Sequence, residues 1–201
     1  GMMQFAHAPL QKVQGLSFYK LMGSGAGIGF SIVPDWSVYC LLQVWETEAD
    51  ATAFLEKSEL MQRYRAKTVE IWTVYLKNIV AKGTWSGQSP FSPAIAMEAC
   101  TGPIAILTRA AIRPRRLRAF WKYVPISQRH LSDYPALRFQ KGVGEAPILQ
   151  MATFSIWENF EAVRQFAYLD KEHQKAIQLT KQLDWYSEEL FARFCPYRFE
   201  G

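Results

Sequence analysis

The sequence predicts an α+β fold made of two tandem ferredoxin-like halves, each a β-α-β-β-α-β unit, packed as a pseudo-dimer. Three observations predict it. One apolar run closes at Val44-Trp45-Glu46 and another at Ile156-Trp157-Glu158, and Phe54 and Phe166 follow their tryptophans at the same interval. Gly15-Leu16-Ser17-Phe18-Tyr19-Lys20 is echoed by Ala136-Leu137-Arg138-Phe139-Gln140-Lys141, Trp72 by Trp185, and Trp85-Ser86-Gly87 by Phe199-Glu200-Gly201, in the same order. The chain is 201 residues long, room for two domains of about 100 residues each. A repeat this long is not a solenoid unit; it reads as two fused copies of a small domain. The division is residues 1–89 for the first half, a loop-rich linker at 90–103 bounded by Pro90 and Pro103, and 104–201 for the second half.

The second half gives the cleaner pattern. Ile104 to Ile112 is apolar and β-branched, a strand. Pro114 fits the first turn of a helix running to about Tyr123, because the missing N–H would be unpaired there anyway. Leu137 to Val143 and Ile148 to Ile156 form a hairpin across Gly144-Glu145-Ala146-Pro147. Asn159 caps a helix bearing Val163, Phe166 and Ala167. Asp170 starts a further helical stretch with His173, Ala176, Ile177 and Thr180, and Trp185 to Phe194 is the last strand. In the first half Thr47 caps a helix with Ala51, Phe54 and Leu55, Ser58 begins a second with Met61 and Tyr64, and Ile71 to Val80 is the final strand. The first half lacks its first strand, since only a short segment precedes Gly15. Either the natural protein has no such strand or this chain begins downstream of it, and Gly1 ahead of Met2 reads as a tag remnant. Such a half leaves a sheet edge for another chain or a loop to cover.

Composition narrows the function. Nearly half the residues are apolar and 14% are aromatic, enough for a core and an apolar pocket. The net charge is +5, and its one dense cluster is Arg113, Arg115, Arg116 and Arg118. Aromatic interleaving is absent, so nucleic acid is not the expected partner. Cys40, Cys100 and Cys195 are an odd number without ligand spacing, which argues against a disulfide framework and against structural zinc. The expected location is a reducing cytoplasm. No window of about 18 apolar residues or signal peptide is visible.

Few residues carry candidate chemistry. His173 shares a helical face with Phe166, Ala176 and Ile177. It is either a core or rim histidine bonded to a carbonyl, or a haem or metal ligand. Zinc or non-haem iron needs more ligands than its neighbourhood offers, whereas haem needs one and an apolar cavity. Arg109 lies in an apolar strand, where an unpaired charge is costly. It is paired with a buried carboxylate, Glu145 or Glu188, or it lines a cavity. Trp45 and Trp157 read as core. The run Gly23-Ser24-Gly25-Ala26-Gly27-Ile28-Gly29 fails as a phosphate loop, because no Lys-Ser or Lys-Thr follows and no helix starts there; it reads as a hairpin loop.

Several further segments carry a resemblance that covers nearly the whole chain. They include Gly15 to Gly25, Arg63-Tyr64-Arg65-Ala66, Gly83-Thr84-Trp85-Ser86-Gly87 with Pro90-Phe91, Leu107-Thr108-Arg109-Ala110, and Phe120-Trp121. Gly142-Val143-Gly144-Glu145-Ala146-Pro147, Thr153 to Trp157, His173-Gln174-Lys175-Ala176-Ile177 and Glu188 to Phe194 continue it in order. On these residues the chain resembles the spheroidene monooxygenase family, bacterial enzymes of acyclic carotenoid oxidation. The resemblance implies a dimeric α/β-barrel type of fold and a haem-dependent oxygenase acting on a polyene end group. His173 matches a family histidine, while His7, His130 and Cys195 match no family ligand. The family usually begins with the strand that this chain lacks.

The resemblance then implies a monooxygenase for an acyclic carotenoid or another long apolar molecule. His173 would be the axial ligand, Arg109 a polar distal group near bound oxygen species, and Phe154, Trp157 and Phe191 the cavity wall. Molecular oxygen and an external reductant are required. An electron-donor protein would supply electrons, because no flavin or nicotinamide motif is present. Peripheral membrane contact through the substrate and homo-oligomer formation are compatible with this reading. The alternative is a non-catalytic haem or small-molecule binding protein of the same fold.

Overall fold

The computed structural model describes residues 5–127, 134–146, 148–169 and 182–201. A helical turn α1 (His7–Leu10) leads to β1 (Leu16–Gly25) and β2 (Pro34–Trp45). Helices α2 (Glu48–Lys57) and α3 (Glu59–Arg65) precede β3 (Thr73–Gly83). Then come β4 (Ile104–Ile112), α4 (Leu117–Ser127), β5 (Leu137–Ala146), β6 (Gln150–Trp157), α5 (Phe160–Leu169) and β7 (Tyr186–Glu200). Among the described residues no strand precedes Leu16. His173 and His130 lie outside the described residues, as does the second helical stretch expected from Asp170.

The expected caps form. Thr47 Oγ1 accepts from the Asp50 N–H, Ser58 Oγ from the Met61 N–H, and Asn159 Oδ1 from the Ala162 N–H. Each satisfies one of the N–H groups that a helix start leaves without a partner. The helix expected from Pro114 instead opens with a 3-10 turn, Pro114–Arg116, and becomes α4 only at Leu117.

All seven strands belong to one antiparallel sheet in the order β2-β1-β5-β6-β4-β7-β3. The sheet curls until its ends meet across one face. Phe18 of β1 lies 6.0 Å from Trp85 beyond β3, and Trp72 ahead of β3 lies 4.8 Å from Phe139 of β5. Strand alternation sorts the side chains onto two faces. The concave face carries Phe18, Met22, Leu107, Ala152, Ile156, Leu190, Ala192 and Phe194, all buried in one cluster. The convex face carries the helices. Phe54 and Met61 of α2 and α3 pack with Leu10 and Leu21. Phe120 and Val124 of α4 pack with Ile112, Met151 and Trp185.

Strand β7 continues well past Phe194, where the sequence pattern placed its end. Its first part pairs with β4, and its last part pairs with β3 from Thr73↔Glu200 to Gly83↔Leu190. A second partner strand therefore holds residues whose own polarity gives no strand signal. The absence of a disulfide is also corrected. Cys100 and Cys195 are bonded, with Cα atoms 5.7 Å apart, and Cys40 stays free. The linker folds back over β7, where Phe91 packs edge-on against Phe194 at 5.0 Å, and this brings a distant pair together that spacing could not reveal.

Candidate functional site

Arg109 sits on the concave face with 2% of its surface exposed. Its position follows from alternation in β4, which turns Ala105, Leu107 and Arg109 to one side. Its guanidinium is matched by two carboxylates, Glu188 on β7 through Nη1 and Glu145 on β5 through Nη2, the latter at 3.9 Å. Glu145 also binds Lys20 of β1 at 2.6 Å and accepts from the Trp85 indole N–H. The Arg109 Nε–H has no partner among the described residues.

The turn after β3 completes this cluster. Gly83 has φ +92, and a Cβ there would lie 2.1 Å from the Glu189 carbonyl oxygen, so only glycine lets the chain turn beneath β7. Ser86 and Gly87 also have positive φ, 55 and 74, and point successive N–H groups at one anion. Both donate to Glu188, at 3.1 and 2.7 Å, and Thr84 Oγ1 donates at 2.8 Å. Burial pushes the Glu188 pKa up, but the hydrogen bonds from Gly87, Thr84, Arg109 and Ser86 outweigh it and hold the carboxyl at about 2. Glu188 is therefore ionised at neutral pH and cannot serve there as a proton donor.

Above this charged floor the concave face is closely packed, and an opening lies at the other end of the strands. It has a volume of about 460 Å³ and is lined by Trp72, Pro103, Phe139, Ile156 and Phe199, with Arg138 and Glu158 at its rim. The two rim charges pair at 3.2 Å. Trp72 lies 6.2 Å from Phe199 in a stacked arrangement. Along β6, Ile156, Phe154 and Ala152 lead inward from the opening toward Arg109, a span of roughly 13 Å for four residues.

Of the expected site residues, the structure places Arg109 and Phe154 on the concave face, with Phe154 6.2 Å from Phe139 of the opening. Trp157 and Phe191 are turned the other way. Trp157 packs on Phe166 of α5 at 5.0 Å, and Phe191 lies opposite Thr108 rather than Leu107. The three aromatic residues are thus not brought together, because positions three apart on a strand face opposite sides. The sequence reading missed Trp72, Phe139 and Phe199; their signal was the three echoes linking Trp72 to Trp185, Phe18 to Phe139 and Trp85 to Phe199.

Haem requires one protein ligand and an apolar cavity, and among the described residues His7 is the histidine and Cys40 the unbonded thiol. His7 is exposed and bonded to the Tyr19 hydroxyl at 3.1 Å. Burial pushes the Cys40 thiol up to about 11, which keeps it protonated, and the other two cysteines are bonded to each other. Among the described residues no group of three His, Cys, Asp or Glu could hold a metal ion.

The chain is 38% identical to the spheroidene monooxygenase of Rhodobacter capsulatus over 99% of its own length and 83% of the relative's. It is 39% identical to that of Rubrivivax gelatinosus, over 93% of this chain and 71% of the relative. Against that of Cereibacter sphaeroides it is 36% identical over 88% of this chain and 55% of the relative. The chain belongs to the spheroidene monooxygenase family, and it is an oxidoreductase of the monooxygenase type. No family model matches it. Solved structures are more distant. A Fusobacterium nucleatum protein gives a TM-score of 0.47 at 9% identity, covering 98% of this chain and 88% of that one. A heme-degrading enzyme from Listeria monocytogenes gives 0.35 at 10%, covering 94% and 92%. Likenesses this low do not bear on mechanism.

Proposed function

We propose that this protein is a haem-dependent monooxygenase that inserts oxygen into an acyclic carotenoid or a similar long apolar substrate. The observation that carries the substrate class is the aromatic opening at the end of the curled sheet, in a chain of this family. Trp72, Phe139 and Phe199 offer flat apolar area to a polyene, and the Arg138–Glu158 pair marks where the opening meets water. Haem would supply the oxygen chemistry, with His173 as the residue that would hold it and electrons from an external donor protein. Arg109, fixed between Glu145 and Glu188, sets the charge at the floor of the concave face. In this reading residues 1–89 and 104–201 are two ferredoxin-like halves joined by the 90–103 linker. The pairing of β1 with β5 and of β3 with β7, equivalent strands of the two halves, supports it.

Two measurements test the proposal. Purified protein given haem should show a Soret band that shifts on reduction and on carbon monoxide binding, and His173→Ala should lose it with an unchanged far-ultraviolet spectrum. A parent that never takes up haem ends the haem reading. A His173→Ala protein that binds haem as the parent does ends the ligand assignment. With a reductant and an acyclic carotenoid, Phe139→Ala should raise KM about tenfold, the loss of one aromatic contact, and leave the haem spectrum intact. An unchanged KM would move the substrate away from this opening.

A further inference from the structure

The β1–β2 hairpin is unusual for its lack of charge. Between Lys20 and Glu46 the sequence holds one charged residue, Asp35. That residue is neutralised by Lys141 at 2.9 Å. The same segment exposes large apolar side chains, with Ile32 at 60%, Val33 at 63%, Trp36 at 77% and Tyr39 at 53%. A scattered exposed leucine needs no explanation, but a contiguous apolar stretch rimmed by polar residues marks an interaction surface. β2 is also an edge of the sheet, and among the described residues no strand pairs with its outer side.

The hairpin is held in a fixed place. Phe30 packs on Phe120 of α4 at 6.0 Å, and the Gly29 carbonyl crosses β5 where Gly142 has no Cβ. This sets the apolar tip beside the start of α4. Arg118 and Lys122, one turn apart, share the exposed side of that helix opposite buried Phe120. Neither forms an ion pair with a described residue, whereas Arg113 and Arg115 are engaged by Asp184. Exposed aliphatic residues, a tryptophan and a tyrosine beside unpaired cations are the combination that an anionic bilayer surface attracts.

We propose that the β1–β2 hairpin, with Arg118 and Lys122 of α4, docks this protein on an anionic phospholipid surface. The inference stands apart from the haem and substrate assignments, since docking needs neither. The test is flotation of the full chain with vesicles of phosphatidylcholine alone and of phosphatidylcholine with phosphatidylglycerol. The parent is expected to float with the anionic vesicles and to be released by salt. The combined variant Ile32→Ser, Val33→Ser, Trp36→Ser should lower partitioning at least about tenfold. Arg118→Ala and Lys122→Ala should each lower it about fivefold. All these positions are exposed, and circular dichroism checks that each variant folds. No flotation of the parent, or flotation unchanged in the variants, overturns the proposal. A lipid-free dimer that the triple variant dissolves overturns it in favour of a second copy.

Discussion

A guanidinium as buried as that of Arg109 persists only if its charge is met, because isolated charges are expensive away from water. That requirement made pairing with Glu145 or Glu188 one of two readings of the sequence, the other being a cavity-lining arginine, and in the structure both carboxylates are engaged. The Ser86–Gly87 nest was not legible, since a positive φ at a serine leaves no mark in composition. Glu188→Gln keeps the shape of the side chain and removes the charge, leaving Arg109 half matched. The expected loss is about 3 kcal/mol in chemical denaturation. The same carboxylate sets an acid response. Its pKa is near 4.5 in an ordinary setting and about 2 in the fold. Its stabilisation is complete above about 4.5 and is lost as pH falls toward 2. The parent should therefore melt progressively lower across that window, with Glu188→Gln following a shallower course. Parallel curves for the two proteins would assign the acid response to another group.

Among the elements, helix starts and central strands were readable and strand ends were not. Thr47, Ser58 and Asn159 announce their helices because a side-chain oxygen is needed where N–H groups lack partners. Strand β7 hid its last residues because β3 pairs with them, a contact across most of the chain. The aromatic residues of the site were read as one cavity, yet period-two alternation separates Phe154 from Trp157. One close approach leaves no room for a side chain beneath the β1–β2 hairpin. A Cβ on Gly142 would lie 2.0 Å from the Gly29 carbonyl oxygen, a backbone atom that cannot swing aside. Gly142→Val is expected to cost about 2 kcal/mol and to displace the hairpin. Gly23→Ala, with nothing within 4 Å of its new Cβ, serves as the control and should melt like the parent. Limited proteolysis should cut residues 26–33 faster in Gly142→Val only. Equal cutting in the two variants would show that the hairpin does not depend on this crossing.

Across the whole molecule, local pattern cannot reveal which distant segments meet. The curl of the sheet brings Trp72 to Phe139 and Lys20 to Ser86, and nothing near any of these residues announces its partner. The Cys100–Cys195 bond belongs to the same class, spanning a sequence separation of 95 residues. It ties the segment between β3 and β4 to β7, beside the Phe91–Phe194 contact that the segment also makes. A cross-link closing so long a loop restricts the unfolded chain strongly, and its loss is expected to cost about 4 kcal/mol. Cys100→Ser should therefore lower Tm, and a reductant should lower the parent's Tm to nearly the same value. The reductant should leave Cys100→Ser unmoved, because its remaining thiols, Cys40 and Cys195, have no bond to lose. A parent whose Tm ignores reductant, with three titratable thiols on unfolding, would mean that the bond does not form in solution and that apolar packing alone holds the segment on β7.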